Sequence, residues 1–110
     1  MNSAIERFEK LLDGPRDGAL LRYSLGNEYR KAGDLARAVT YFRDAVMRDP
    51  NFTAAWKQLG QTLAAQGAHA AAQEAYHHGI TVAEARGDVQ AAKEMRVFLR
   101  REERASAADQ

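Results

Sequence analysis

The tightest constraint on this chain is that it repeats itself. Leu25-Gly26 recurs at Leu59-Gly60, Gly33 at Gly67, Ala38 at Ala72 and Phe42 at Tyr76, each pair separated by 34 residues. Ala4 and Phe8 stand the same distance before Ala38 and Phe42, so the pattern begins with only the second half of a unit. A period of this length belongs to stacked helical units, each burying its apolar face against its neighbours. The repeated glycines sharpen the expectation. A glycine inside a helix costs about 1 kcal/mol relative to alanine. Its recurrence after leucine implies that another helix crosses closely there, where overfilling typically costs about 1–3 kcal/mol. Gly26 and Gly60 are therefore expected at helix crossings. Gly33 and Gly67 are expected to end helices in the left-handed conformation.

Apolar spacing and cap residues predict an all-α fold of six helices. Ser3-Ala4-Ile5-Glu6 reads as a capping box opening the first, with Ile5, Phe8, Leu11 and Leu12 on one face and Gly14-Pro15 closing it. A pair follows over 18–31 and 35–48, with Asp34 as N-cap and Asp49-Pro50-Asn51 as the break. A second pair spans 53–66 and 69–85. Arg86-Gly87-Asp88 is a turn, and Asp88 caps a last helix to residue 104, whose Ala92, Met95, Phe98 and Leu99 form an apolar stripe. The expected organisation is one domain over 1–104. It comprises a half repeat at 3–18, repeats at 19–52 and 53–86, a capping helix at 88–104 and a disordered tail at 105–110.

Trp56-x2-Leu59-Gly60, Tyr29 after Leu25-Gly26, Ala38-x3-Phe42, Ala72-x3-Tyr76 and Pro50 resemble the tetratricopeptide repeat, a helix–turn–helix unit with the pattern Trp-x2-Leu-Gly-x2-Tyr, Ala-x3-Phe, Pro. The resemblance covers residues 3–86. Arg22 replaces the Trp of the first full repeat, Leu63 the Tyr of the second, and Glu84 the closing proline. It implies a stack of helix pairs whose first helices line a concave groove that holds a peptide or a partner's helix. By helical spacing and the offset of 34, the groove positions are Leu20, Tyr23, Asn27 and Arg30, then Ala54, Lys57, Gln61 and Ala64. Asn51 and Phe52 lie at the rim. The central set, Tyr23, Asn27, Arg30, Lys57 and Gln61, combines one aromatic with amides and cations, which suits an extended or acidic peptide. Some members clamp a chaperone tail's carboxylate with Lys and Asn residues. Asn27 matches that clamp, but Tyr23 and Gln58 replace other members of it, so this version is set aside.

The remaining features narrow the classes. A net charge of +1 provides no global field for nucleic acid or an anionic membrane, and with no cysteine there are no disulfides or thiolate sites. No apolar run reads as a signal peptide or a membrane span, so a cytoplasmic location is expected. His69, His77 and His78 include no pair at i,i+4, which argues against a metal site. No acid/base pair, phosphate loop or dinucleotide fingerprint is present, so no catalysis and no cofactor are expected. Lys93, Arg96, Arg100 and Arg104 share a stripe on the last helix. From Gly87 onward five acids balance five bases, and the stripe reads as a solvated face. Two readings follow: an adaptor that binds another protein or an acidic peptide in its groove, or a homodimer joined through an apolar edge at Ile5, Leu11 and Leu12.

Overall fold

The computed structural model describes residues 3–108, and among them there are six helices and no strand. They are α1 (Ser3–Glu9), α2 (Ala19–Lys31), α3 (Leu35–Arg48), α4 (Thr53–Ala65), α5 (His69–Ala85) and α6 (Val89–Ala108). The molecule measures 42 × 31 × 19 Å, the flattened outline of helix pairs laid side by side.

Three of the connections are the same device. At Gly33, Gly67 and Gly87 φ is +84°, +78° and +73°. In each case the glycine N–H and the next N–H donate back into the preceding helix: Gly33 to Arg30 O (3.0 Å) and Asp34 to Tyr29 O (2.9 Å), Gly67 to Ala64 O (2.9 Å) and Ala68 to Leu63 O (3.0 Å), Gly87 to Glu84 O (3.1 Å) and Asp88 to Ala83 O (2.8 Å). This is the Schellman closure, which satisfies carbonyls that the helix end leaves free. Asp34 and Asp88 then accept from Arg37 N (3.1 Å) and Ala91 N (3.0 Å), capping α3 and α6 as expected. The α3–α4 link is different. Asn51 N donates to Asp49 Oδ1 (3.1 Å), and the Trp56 indole reaches back to Pro50 O (2.8 Å).

The helical glycines sit where helices cross. A Cβ on Gly26 would lie 2.6 Å from the Phe42 ring, and one on Gly60 would lie 2.4 Å from the Tyr76 ring. A third crossing follows the same spacing, since a Cβ on Gly79 would lie 2.5 Å from Met95 Sδ and 3.0 Å from Trp56 Cβ. Each glycine meets the side chain 16 residues further on (Gly26 and Phe42, Gly60 and Tyr76, Gly79 and Met95), so α5 and α6 form a hairpin like α2–α3 and α4–α5. The core threads these crossings with Leu25, Phe42, Leu59, Tyr76, Ala92, Met95 and Leu99.

The N-terminal segment departs from expectation. Helix α1 is only seven residues long, and Lys10–Asp13 continue as turns, ending at Asp13 with φ +63°. Ile5 is buried in the core and Leu12 packs against it, leaving only Leu11 of the expected apolar edge partly open at 37% exposure. The segment is held to α2 by polar contacts. The Tyr29 hydroxyl donates to Glu9 Oε2 (2.9 Å), and Arg22 grips Asp17 through Nε (3.0 Å) and Nη2 (2.7 Å). Arg22 stands where the second repeat has Trp56. It replaces an aromatic anchor with a forked ion pair that also reaches Asp44 at 3.3 Å. Its hydrogen bonds hold the Asp17 carboxyl well below the usual carboxylate range, and Asp17 raises the Arg22 guanidinium in turn.

The C-terminal tail is also different. Residues 105–108 continue α6 as helix, with Ala105 and Ser106 half-buried, while Asp109 and Gln110 lie outside the described residues. Three alanines with no glycine or proline give the chain no reason to stop. Just before them, His69 Nδ1 lies 2.5 Å from Glu102 Oε2, and Gln73 Nε2 donates to Glu102 O at 3.2 Å, fixing α6 along α5.

Candidate functional site

Helices α2, α4 and α6 face one side of the stack, and of the expected groove positions Tyr23, Ala54 and Lys57 line the cleft between them, whereas Leu20, Asn27, Arg30, Gln61 and Ala64 do not. Tyr23, Thr53, Ala54, Lys57 and Gln58 line a cleft of about 280 Å³ together with Asp88, Gln90, Ala91 and Glu94. Tyr23 is half-buried because its ring packs on Phe52 (centroids 4.7 Å apart) and Phe42 (5.9 Å). Phe52 thus supports Tyr23 from beside the cleft. Leu20, 69% exposed, lines an adjoining hollow with Asn51 and Phe52, and Ala54 is open to solvent. Asn51 directs its carbonyl away to Arg86 (2.9 Å).

The cations behave differently from one another. Lys57 Nζ is 3.3 Å from Glu94 Oε2 of α6, so its charge is already matched. Arg30 is half-buried, and its Nη1 donates to the amide oxygens of Gln58 and, at 3.4 Å, Gln61. Among the described residues no carboxylate pairs with Arg30. Two glutamines therefore orient a guanidinium whose charge remains unmatched, leaving it available to an incoming carboxylate. Asn27 is half-buried one helical turn before Arg30.

Beneath this face, Tyr76 fills the space over Gly60 and meets Phe98 of α6 (5.8 Å). Burial, with Glu102 adding to it, pushes the Tyr76 hydroxyl up to about 12, so the ring stays neutral throughout the physiological range. The histidines serve separate contacts. His69 meets Glu102, and His78 stacks on Trp56 at 4.8 Å on the opposite side of α4. Among the described residues no three His, Asp or Glu side chains are grouped to hold a metal ion, and no helix is long and apolar enough to cross a membrane.

Sequence reasoning missed α6 as the third wall. It treated Arg86-Gly87-Asp88 as a turn before a cap, although the layout repeats Ala32-Gly33-Asp34 and Gly79 stands 16 residues before Met95. Those two signals together identify a third hairpin, and with it Asp88 and Glu94 as groove residues.

The tetratricopeptide repeat family model matches residues 19–62. Over 101 residues the chain is 46% identical to the TPR repeat-containing protein PA0015 of Pseudomonas aeruginosa, a match that covers 92% of this chain and 96% of that protein. The chain belongs to the tetratricopeptide repeat family. Its structure is similar to the solution structure of protein BPP2914 from Bordetella parapertussis, with a TM-score of 0.81, 41% identity, and coverage of 98% of this chain and 94% of the other. It is also similar to the crystal structure of a tetratricopeptide repeat domain protein from Salinibacter ruber, with a TM-score of 0.73, 25% identity, and coverage of 79% and 97%. Tetratricopeptide repeat proteins generally act as non-catalytic modules that bind other proteins.

Proposed function

We propose that this tetratricopeptide repeat protein is an adaptor that holds an extended, acidic segment of another protein in the groove formed by α2, α4 and α6. The observation that carries this reading is Arg30, a half-buried cation presented by the amides of Gln58 and Gln61 and paired with no carboxylate among the described residues. Such a group prefers a ligand carboxylate, because a carboxylate adds the opposite charge and can accept two parallel N–H bonds from the guanidinium fork, which an amide oxygen cannot. Tyr23 and Phe52 supply a firm apolar floor next to the cleft. Asn27 and Gln61 provide amides suited to main-chain groups of an extended peptide. Lys57 acts with Glu94 as a neutral pair, so the acid preference is concentrated at Arg30.

A homodimer through the N-terminal apolar edge is the second reading; Ile5 and Leu12 pack within the chain, so Leu11, at 37% exposure, is what that edge offers a second copy.

The test is a cross-linked capture from native lysate, comparing wild type with Arg30→Glu and reading both protein sets by mass spectrometry. A protein retained by wild type and lost from the variant, at equal thermal stability, supports the groove. Identical sets from both proteins would overturn it.

A further inference from the structure

The outer face of α6 has a different charge from the one its composition suggests. Taking 3.6 residues per turn and Val97 as the reference direction, Lys93, Arg100, Arg101 and Arg104 all point within about 60° of it. All four are exposed, as are Val97 and Val89. The carboxylates of the helix are directed elsewhere. Glu94, at the margin of this sector, is half-buried and turned to Lys57 of α4. Glu102 is turned to His69 of α5. Glu103 is rotated about 120° from Val97, on the flank where Arg96 pairs with Glu84 of α5. The three glutamates of α6 are therefore directed away from the exposed strip of Lys93, Arg100, Arg101 and Arg104. Lys93, Arg100 and Arg104 have no ion-pair partner among the described residues, and Arg101 lies over the Phe98 ring at 5.7 Å.

This face lies opposite the α5 side of α6, where a longer array would place its next helix. A face built only to keep the end in water is served by mixed charges. Here one sign occupies a strip about 16 Å long, from Lys93 to Arg104 at 1.5 Å per residue, with a valine at its centre. We infer that the outer face of α6 is a second docking surface, separate from the groove, for an acidic amphipathic helix of a partner protein. Charge complementarity selects the acidic partner, and Val97 and Val89 give it apolar contacts at helical spacing. A nucleic acid fits less well: the strip is a single helix wide, no exposed aromatic accompanies the cations, and the chain's net charge is only +1.

The experiment uses the full chain, labelled with nitrogen-15, and three probes: a synthetic amphipathic helix with glutamates flanking an apolar stripe, the same residues scrambled, and a 20-mer of oligo-dT. The expected result is amide shifts confined to exposed positions of 89–104 with the ordered peptide. Its Kd should weaken about tenfold or more in K93E/R100E, as reversed charges at a docking face predict, and remain within about twofold in R30E. The double variant should fold normally because both side chains are exposed, and K93Q/R100Q provides an intermediate loss should it not. An unchanged Kd in these variants, equal binding of the scrambled peptide, tighter binding of the oligonucleotide at the same salt, or shifts confined to the groove would each overturn the inference. Because R30E tests the groove independently, failure of either site is read separately.

Discussion

Gly60→Ala adds one methyl group at the most crowded helix crossing in the molecule. The new Cβ would stand 2.4 Å from Tyr76 Cε1 and 2.7 Å from Cδ1 and Cζ. Ordinary contact needs about 1 Å more, and neither side can easily give it. Tyr76 is 2% exposed and backed by Phe98, and its ring presents its edge atoms, which have no flexible end to swing away. Overpacking of this kind typically costs about 1–3 kcal/mol. Against it, alanine in place of glycine within a helix gains about 1 kcal/mol. The net expectation is a loss of about 1 kcal/mol, or roughly 4–8 °C in Tm for a domain of about this size. Gly60→Leu should lose more. Gly67→Asn should be mild, since no atom lies within 4 Å of its Cβ and asparagine tolerates the left-handed region. The assay is thermal and urea unfolding of the single variants and of Gly60→Ala in a Tyr76→Leu background. With the ring gone, the sign should reverse and alanine should stabilise the helix. Equal Tm losses for Gly60→Ala and Gly67→Asn, or the same loss with and without the Tyr76 ring, would refute the crossing as the cause.

Three further expectations follow from the contacts. Asp34→Ala removes the cap on Arg37 N and should cost about 0.5–2 kcal/mol in urea unfolding, with no change in helix content of the native state. Asp17 is held below its unfolded value of about 3.9, so its stabilising contribution is complete above that pH and is lost as pH falls through the lower folded value. The stability gap between wild type and Asp17→Asn should therefore be full at neutral pH and narrow below about pH 4, and a gap independent of pH would count against the Arg22 pairing. Since Ile5 and Leu12 are engaged within the chain, light scattering should give the monomer mass of 12.2 kDa at all concentrations, and a stable dimer would favour the self-association reading.

The sequence made the hairpins legible because each rule involved was local. Asp34 before Leu35 and Gly33 before Asp34 mark one helix start and one helix end with side chains or torsions that act within a single turn. Tyr23 and Lys57, related by the 34-residue offset, line the same cleft, since α2 and α4 share a register. Their partners were hidden for a physical reason. Glu94 comes from a helix whose start lies 36 residues after that of α4, beyond a connection of the Schellman kind where the earlier repeat used Pro50, so the offset no longer predicts which residue faces Lys57. Helix α1 was overread because Leu11 and Leu12 continue its apolar spacing, although Asp13 adopts a left-handed torsion and Asp17 draws the chain towards Arg22. The tail was underread because its order rests on α6 lying along α5, a tertiary contact at Glu102 that no local pattern announces. The same blindness to direction made the charges of α6 look balanced.

The central claim, that α2, α4 and α6 form a binding groove centred on Arg30, is tested most directly by placing a photo-cross-linking amino acid at Asn27 and, as a control, at the exposed Thr81 on α5. Groove binding predicts a discrete adduct from position 27 in native lysate that is absent from position 81 and disappears in Arg30→Glu. Adducts of the same composition from both positions, or an adduct at 27 that survives Arg30→Glu unchanged, would contradict it.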